Sequence, residues 1–281
     1  MGNETRKNIK EFQFQMKIPD FVGIILEMLR QKGFDAFIVG GAVRDTLLGR
    51  EAVDWDITTN AQVFEIKSVF KDIRHFSLKH ETVTLVYSGR SFEVTAMRGK
   101  NGKADILSDL SLRDFALNAM AYDDRKSAML DPHGGADDIK RKTIKAVNNP
   151  ADRFMEDPLR MLRAIRFSGE FDFIIDKNTI GAIPALAPFI KDVSAERVRD
   201  EILKIIQCER PSRLLELLRE TGLMEYILPE LLEGYDMEQN SWHLYSVFKH
   251  VLETVDNVPS NHILRIAALL HDIGKPRVRE K

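Results

Sequence analysis

The stretch GGAVRDTLLGREAVDWDITT, residues 40–59, decides the fold of the first half of this chain. A short apolar run, Ala36 to Val39, leads into its glycine pair, and the residues after the pair have helical character until Gly49. From Asp54 to Thr58 acidic and apolar residues alternate, as they do in a strand with one wet face. The stretch predicts a strand, a glycine turn, a helix and a second strand.

The same stretch carries residue types that suit a metal-dependent phosphate site. Asp54 and Asp56, two positions apart on the predicted strand, would point to the same side and offer oxygen ligands to Mg²⁺. Gly40 and Gly41 would expose backbone N–H groups to a triphosphate, with Arg44 one turn inside the helix to neutralise phosphate. Either pair alone is usually a solvated strand edge or a plain turn. Together and in this order they favour nucleotidyl transfer.

Hydrophobic periodicity divides the rest of the chain into an α/β half and a helical half. Helical spacing marks 20–32, and a hairpin is predicted from 82–87 and 91–97, with weaker strands at 115–122 and 142–147. Three helices are predicted after Pro150, at 153–167, 194–208 and 211–220. Local breaks then predict an N-terminal extension (1–20), a head (21–147), a helical neck and body (148–237) and a last segment (238–281).

Composition restricts the class of protein. Of 281 residues, 44% are apolar and 30% charged, which is typical of globular domains. The formal net charge of −2 means that any nucleic-acid contact must use a local basic face. The single cysteine, Cys208, excludes an internal disulfide framework. With neither an apolar signal core nor an apolar run of about 18 residues, we expect a cytoplasmic protein without a membrane partner.

The stretch at 40–59 resembles the first motif of the class II tRNA nucleotidyltransferase and bacterial poly(A) polymerase family, within the DNA polymerase β superfamily. Four later segments resemble its further motifs in order: LRDFALNAMAYD (112–123), DPHGGADDIKRKTIKAV (131–147), EDPLRMLRAIRF (156–167) and ERVRDEILKII (196–206). Five ordered motifs make the resemblance specific over about residues 35–207. It implies an α+β nucleotidyltransferase head with a polymerase β-like palm, followed by all-α neck and body domains.

The resemblance also implies roles for individual residues of the head. Asp54 and Asp56 would be the catalytic residues and Mg²⁺ ligands. The nucleotide would be bound by the residues of the glycine turn and of the second motif: Gly40, Gly41, Arg44, Arg113, Asp114 and Asn118. Glu93, on the predicted strand 91–97, is a candidate third carboxylate, although a strand glutamate is more often a solvated partner of a basic residue.

The fourth motif carries a pattern that suits base recognition. Asp157, Arg160, Arg163 and Arg166 recur every third residue, which predicts a drifting stripe on one helix. A carboxylate can accept from the exocyclic amine of C or A while a guanidinium donates to the adjacent ring nitrogen, and U and G present the opposite pattern. The resemblance assigns this reading to Asp157 and Arg160, and Arg163 and Arg166 would face phosphates. A surface salt-bridge ladder is the alternative.

The resemblance implies that the protein adds CMP, and in full CCA addition also AMP, from CTP and ATP to the tRNA acceptor end without a nucleic-acid template. Between the strand ending at Arg98 and the second motif the chain has only 99–111, where many CCA-adding relatives have a longer flexible loop. This shortness favours addition of two cytidines. A poly(A) polymerase would share every catalytic residue, and a non-catalytic RNA-binding protein is a further alternative.

The last segment resembles a different superfamily. His250 and the pair His271-Asp272 within LLHDIGKP are similar to the metal ligands of HD phosphohydrolases. Members of that superfamily need a further aspartate downstream, and this sequence stops at Lys281. We expect a partial HD domain with an incomplete HD site and no phosphohydrolase activity in this form. A phosphohydrolase with a degenerate head is the alternative, against which the intact Asp54 and Asp56 argue.

Overall fold

The computed structural model describes residues 10–79, 81–87, 89–100, 103–237 and 246–279. They divide into two compact units, the first ending at Arg141 and the second beginning at Lys142. The sequence predicts this boundary after residue 147. The structure places it earlier because Thr143–Ile144 pairs with Ile174–Ile175 of the second unit. The boundary predicted at 238 falls on residues 238–245, which lie outside the described ranges.

The first unit is an α+β domain. Its strands are β1 (Lys10–Gln13), β2 (Ala36–Val39), β3 (Asp56–Thr59), β4 (Arg74–Lys79), β5 (Thr82–Tyr87), β6 (Arg90–Ala96), β7 (Gly99–Lys100), β8 (Lys103–Ala104), β9 (Ala121–Asp123) and β10 (Ala128–Asp131). Its helices are α1 (Asp20–Gln31), α2 (Gly41–Leu47), α3 (Val63–Val69), α4 (Ile106–Ser111) and α5 (Gly135–Lys140), with a short 3₁₀ helix at Ala116–Asn118.

A mixed sheet forms the centre of the first unit. Its strand order is β1-β10-β9-β2-β3-β6-β5-β4, in which β3 and β6 run parallel and the other neighbours antiparallel. All four residues of β2 are buried, and α1 buries a stripe at helical spacing: Val22, Ile25, Leu26 and Leu29. The mixed sheet confirms the predicted head fold. Because β1 belongs to the sheet, Lys10–Gln13 is part of this unit rather than of an extension.

The second unit is helical apart from the parallel strand pair β11 (Thr143–Ile144) and β12 (Ile174–Ile175). Its helices are α6 (Pro150–Glu156), α7 (Leu159–Glu170), α8 (Lys177–Gly181), α9 (Ile183–Leu186), α10 (Ala195–Ile206), α11 (Pro211–Glu220), α12 (Met224–Ile227), α13 (Pro229–Leu232), α14 (Val247–Asn257), α15 (His262–Leu270) and α16 (Lys275–Arg279), with a 3₁₀ helix at Ala187–Asp192. Within the described ranges, every helix is too short or too polar to cross a bilayer.

Helix α7 lies at the centre of this unit. It packs against α10 and α11, and α14 packs against α11 and α15. Most of α7 is buried, including Met161, Leu162 and Ile165. The fourth-motif helix is therefore surrounded by its own unit, which restricts which of its side chains can reach a ligand.

Two predicted elements are wrong. The single helix predicted at 153–167 is two helices, because Asp157 is extended (φ −152°, ψ 99°) before Pro158, a conformation that proline favours in the residue before it. The strand predicted at 115–122 is the 3₁₀ helix Ala116–Asn118 followed by β9, because this apolar run is buried as a turn. The predictions for 36–39 and 211–220 match β2 and α11 residue for residue.

Candidate functional site

The glycine turn lies against a carboxylate. Gly40 follows β2 with φ 70° and ψ −130°, a conformation that side chains rarely adopt. A Cβ on Gly40 would lie 3.1 Å from Asp56 Oδ2 and 3.4 Å from Arg113 Nη1. Glycine is required here because of its backbone conformation and because a Cβ would have little room. Since glycine has no side chain, Asp56 and Arg113 can lie close to the turn.

The two aspartates of the first motif are placed differently. Strand β3 begins at Asp56, and its pairing with β2 ends at Val39 opposite Asp56, because Gly40 turns the chain away. Asp54 precedes the strand and is exposed, so the prediction that both aspartates lie on one strand is wrong. Glu93 of parallel strand β6 lies directly beside Asp56 in the sheet register.

The neighbouring carboxylates perturb the pKa of Asp56. Burial raises the pKa of Asp56 to about 6, and the charges of Glu93 and Asp54 add to the rise, whereas Arg113 and Arg44 oppose it. A half-buried carboxylate with a raised pKa beside two further carboxylates is typical of a functional site. Carboxylate oxygens are the ligands that Mg²⁺ prefers. Asp54, Asp56 and Glu93 therefore have the donor chemistry that a divalent cation requires.

A hydrogen-bonded network joins the first motif to the second. Arg44 Nη1 donates to Asn118 Oδ1 at 2.8 Å, and its Nε and Nη2 donate to the two oxygens of Asp45 at 2.9 and 3.1 Å. Asn118 Nδ2 donates to Asp114 Oδ1 at 3.2 Å. The structure thus brings together Arg44, Asp114 and Asn118, as expected. Asp45, which sequence reasoning missed, neutralises the arginine.

The third motif packs against the 3₁₀ helix that carries Asn118 of this network. A Cβ on Gly135 would lie 2.2 Å from the carbonyl oxygen of Ala116, so α5 can approach the 3₁₀ helix that carries Asn118 only with glycine at this position. Asp131 accepts hydrogen bonds from the backbone nitrogens of Gly135 and Ala136 at 2.8 and 3.0 Å. The third motif therefore fixes the backbone geometry between β10 and α5. The spacing between Asp131 and Gly135 is the sequence signal for this turn.

Arg113 is held by a residue that sequence reasoning missed. Asp109 of α4 is buried and accepts hydrogen bonds from both Arg98 and Arg113. The spacing of four between Asp109 and Arg113 is the signal that was available in the sequence. The segment 99–111 contains β7, β8 and α4, and Asn101 and Gly102 lie outside the described ranges.

In the second unit the predicted base-reading pair lies at the junction of α6 and α7. Asp157 Oδ1 accepts from the Leu159 backbone nitrogen at 3.3 Å, and Oδ2 accepts from Arg197 Nη2 at 2.8 Å. Arg160 Nη1 donates to the Arg153 carbonyl and to Glu156 Oε2, both at 3.1 Å. The pair is held in place by neighbouring groups of its own unit.

The two later arginines of this motif are not placed alike. Arg166 is buried, its Nε donates to Glu201 Oε2 at 2.6 Å, and it also pairs with Glu170. The structure therefore does not place Arg166 for the expected phosphate contact, because a buried guanidinium between two carboxylates is already neutralised. Arg163 is half-buried, with its guanidinium 5.2 Å from the Phe167 ring centre.

The residues of the predicted HD site come together. His250 lies on α14, and His271 and Asp272 follow α15, with ligand atoms of the three within 4.8 Å of one another. His271 Nε2 lies 3.2 Å from Asp272 Oδ2, and Lys275 Nζ lies 2.6 Å from the same oxygen. The donor set suits a transition-metal ion. The lysine ammonium already supplies one positive charge to Asp272.

Comparison with known proteins agrees with this architecture. Residues 36–145 match the family described as "Poly A polymerase head domain", and 172–234 match "Probable RNA and SrmB- binding site of polymerase A". The CCA-adding enzyme of Ligilactobacillus salivarius (strain UCC118) is 34% identical over 279 residues, covering 88% of this chain and 69% of that protein.

Two solved structures are also similar. The Bacillus stearothermophilus CCA-adding enzyme in complex with CTP has a TM-score of 0.77 and 33% identity, covering 94% of this chain and 66% of that one. A tRNA nucleotidyltransferase complexed with a primer tRNA and an incoming ATP analog has a TM-score of 0.70 and 26% identity, covering 91% and 79%.

The mixed-sheet head with its glycine turn and acidic pair defines a nucleotidyltransferase-type domain. The chain belongs to the class II tRNA nucleotidyltransferase and bacterial poly(A) polymerase family, which includes the CCA-adding enzymes. Against two other curated relatives it spans little more than half of the relative's length, 53% and 58%.

Proposed function

We propose that this chain transfers CMP from CTP to the 3′ end of a tRNA acceptor arm. The proposal rests on one observation, the cluster of carboxylates formed by Asp54, Asp56 and Glu93 at β3 and β6. In this cluster the pKa of Asp56 is raised to about 6, and Gly40 and Arg113 lie beside Asp56. This arrangement suits a divalent cation and a triphosphate together. The family membership and the CTP bound by a similar solved structure support the same substrate class.

In the proposed reaction the RNA 3′ oxygen forms a bond to the α-phosphorus, and the bond to the pyrophosphate leaving group breaks. Mg²⁺ held by Asp54 and Asp56 would supply Lewis-acid stabilisation of the transferring phosphoryl group. Arg113 would neutralise phosphate, and Arg44, Asp114 and Asn118 would orient the ribose and triphosphate. Little covalent chemistry is left for the protein, so positioning and charge account for most of the rate.

Base selection is proposed for Asp157 and Arg160. The Asp157 carboxylate would accept from the exocyclic amine of C or A, and the Arg160 guanidinium would donate to the ring nitrogen. The contacts from Leu159 and Arg197 to Asp157 support this role, because a reading group must keep one orientation. A uracil carbonyl facing the carboxylate would leave two acceptors opposed, which costs affinity.

We further propose that addition stops after two cytidines. The support is the short segment 99–111 between β6 and the second motif, much of which is taken up by β7, β8 and α4. The relatives quoted above include CCA-adding enzymes, so this finer proposal needs a direct product measurement.

The experiment is a gel at single-nucleotide resolution with this protein, Mg²⁺ and a tRNA lacking its terminal CCA. The tRNA is given CTP alone, ATP alone, or both. Two added residues with CTP, and none further with ATP, are expected. Three added residues would show full CCA addition, and a long ATP ladder would show a poly(A) polymerase. No extension in any mixture would refute the proposed activity.

A matched pair of variants tests whether the cluster of Asp54, Asp56 and Glu93 is needed for nucleotide addition. Asp54→Ala should abolish extension, since it removes a proposed metal ligand. Asp35→Ala, which removes an exposed head carboxylate whose neighbour is Arg125, should extend the tRNA as the unchanged protein does. Equal extension by both variants would point to a non-catalytic head.

A further inference from the structure

Asp109 is a buried carboxylate surrounded by hydrogen-bond donors. Its side chain is 1% exposed, and it lies on α4, between the small β7–β8 pair and the second motif. Oδ1 accepts from the backbone nitrogen and Nε of Arg98 at 3.3 and 3.1 Å, and Oδ2 accepts from Nε and Nη2 of Arg113 at 3.2 and 3.0 Å. A buried carboxylate is tolerated only when it is paired in this way.

The contacts of Asp109 determine where Arg113 points. Two of the guanidinium nitrogens, Nε and Nη2, face Asp109 Oδ2. The third, Nη1, lies 3.4 Å from the place that a Cβ would take on Gly40. Since a guanidinium is planar and rigid, fixing two of its nitrogens fixes the third. Nη1 is therefore held toward the glycine turn.

The charges of this cluster favour an anion. One carboxylate shared by Arg98 and Arg113 leaves a net charge of plus one within the trio. Arg113 Nη1 and Asp56 Oδ2 lie 3.4 and 3.1 Å from the same point, the place that a Cβ would take on Gly40. The excess positive charge of Asp109, Arg98 and Arg113 therefore lies on the side of this trio that faces Asp56. A polyphosphate is the anion class whose size and charge suit a planar guanidinium beside carboxylates that hold a cation.

We propose that Asp109 is a positioning residue that fixes Arg113 for the triphosphate of the incoming nucleotide, an inference that rests on the proposed function. Asp109 does not touch the nucleotide. It acts through Arg113 and, by its contact with Arg98, holds both ends of the segment between β6 and the second motif. Neutralising Asp109 should release Arg113 and weaken polyphosphate binding.

The test is a double-mutant cycle with inorganic tripolyphosphate as the probe, measured by titration calorimetry, together with the KM for CTP in tRNA extension. Asp109→Asn keeps the shape but places an amide against the guanidinium. We expect it to raise both the tripolyphosphate Kd and the KM for CTP about tenfold. Arg113→Met should do the same, and the double variant should be no worse than Arg113→Met alone.

Asp123→Asn is the matched control. Asp123 is also a buried carboxylate of the first unit, with Arg125 Nε 3.6 Å away on one side and Arg30 on the other. This variant should lower Tm and leave the tripolyphosphate Kd unchanged. If Asp109→Asn does not fold, the cycle is run with Asp109→Glu, which keeps the charge but displaces the guanidinium and should also raise the Kd.

The outcomes separate this inference from the proposed function. Additive losses in the cycle, or an Asp109 variant that binds tripolyphosphate as tightly as the unchanged protein, would overturn the positioning role while tRNA extension stands. A non-additive cycle in a protein that binds tripolyphosphate but extends no RNA would support the positioning role and reject the proposed reaction. A folded, unchanged protein that does not bind tripolyphosphate would overturn the inference.

Discussion

Two sets of carboxylates, one in each unit, are neutralised to different extents. In the second unit Glu201 lies between Arg166 at 2.6 Å and Lys204 at 3.2 Å, and Asp157 pairs with Arg197. In the first unit Asp56 lies beside Glu93 and Asp54, and its pKa is raised to about 6. Glu201 and Asp157 are paired with bases of their own unit, whereas Asp54, Asp56 and Glu93 of the first unit lie together.

The difference separates two uses of buried charge. A paired carboxylate such as Glu201 joins helices α7 and α10 and needs no ligand. A carboxylate left among other acids costs stability, and such groups are concentrated at functional sites. Counting charged residues in a motif cannot distinguish a paired carboxylate from one that lies among other acids, because the first and the fourth motif are both rich in acids and arginines. The partners of each carboxylate in the structure distinguish a paired carboxylate from one that lies among other acids.

The contrast predicts its largest effect at Asp56. Asp56→Asn should lower the rate of CMP addition by about 10³-fold or more, because it removes a proposed metal ligand. The measurement is single-turnover extension of a tRNA lacking CCA over a range of Mg²⁺ concentrations. If the variant keeps the normal rate and Mg²⁺ dependence, Asp56 is not a ligand of the catalytic metal.

The next effect concerns the paired acid of the second unit. Glu201→Gln should lower the free energy of unfolding by about 3 kcal/mol, because it removes the buried one of the two carboxylates that pair with buried Arg166. Urea unfolding monitored by circular dichroism measures this loss. Glu233→Gln, which breaks the exposed pair with Arg277, is the control and should leave stability unchanged. Equal losses in the two variants would remove the distinction between buried and exposed pairs.

The pH dependence of stability sharpens the contrast further. The pKa of Asp56 rises from 3.8 to about 6 on folding, so the folded state binds more protons between these values. The contribution of Asp56 to the free energy of unfolding therefore falls as pH rises through this window, by about 3 kcal/mol in full. Asp56→Asn lacks this fall.

Relative to the unchanged protein, the asparagine variant should thus gain stability from about pH 4 to pH 6 and keep the gain above it. Urea unfolding at pH 4, 5, 6 and 7 without Mg²⁺ makes the measurement. A pH-independent difference between the two proteins would mean that Asp56 is not desolvated in the fold. Added Mg²⁺ should stabilise the unchanged protein at pH 7 and not the variant.

The smallest effect is expected at Arg197. Its pair with Asp157 is partly exposed, with side-chain exposures of 46% and 29%, and such pairs are worth less than about 1 kcal/mol. Arg197→Met should reduce the preference for CTP over UTP about two- to fivefold, because Asp157 is then less firmly oriented. Arg199→Met on the same helix, where Arg199 pairs with its neighbour Asp200, should leave the preference unchanged.

Much of the fold follows from local pattern. Helix α1 could be predicted because its apolar spacing reports which side is buried, whatever packs there, and strand β2 because a short apolar run ends at a glycine pair. The break between α6 and α7 was missed although Pro158 was visible, because helical periodicity continues across it. The strand predicted at 115–122 failed because this run is apolar at every position except Asn118, and such a run carries no periodicity that separates a strand from a buried turn.

The sequence by itself determined the chemistry that was available: an acidic pair, a glycine turn, and motifs whose order identifies the family. Only the tertiary structure decided how those groups are arranged and paired. Glu93 lies beside Asp56 because β3 and β6 pair in parallel, and Arg166 is paired because α10 brings Glu201 to it. Pairing and burial depend on residues distant in the chain, and they set the charge balance that separates a ligand site from an ion pair.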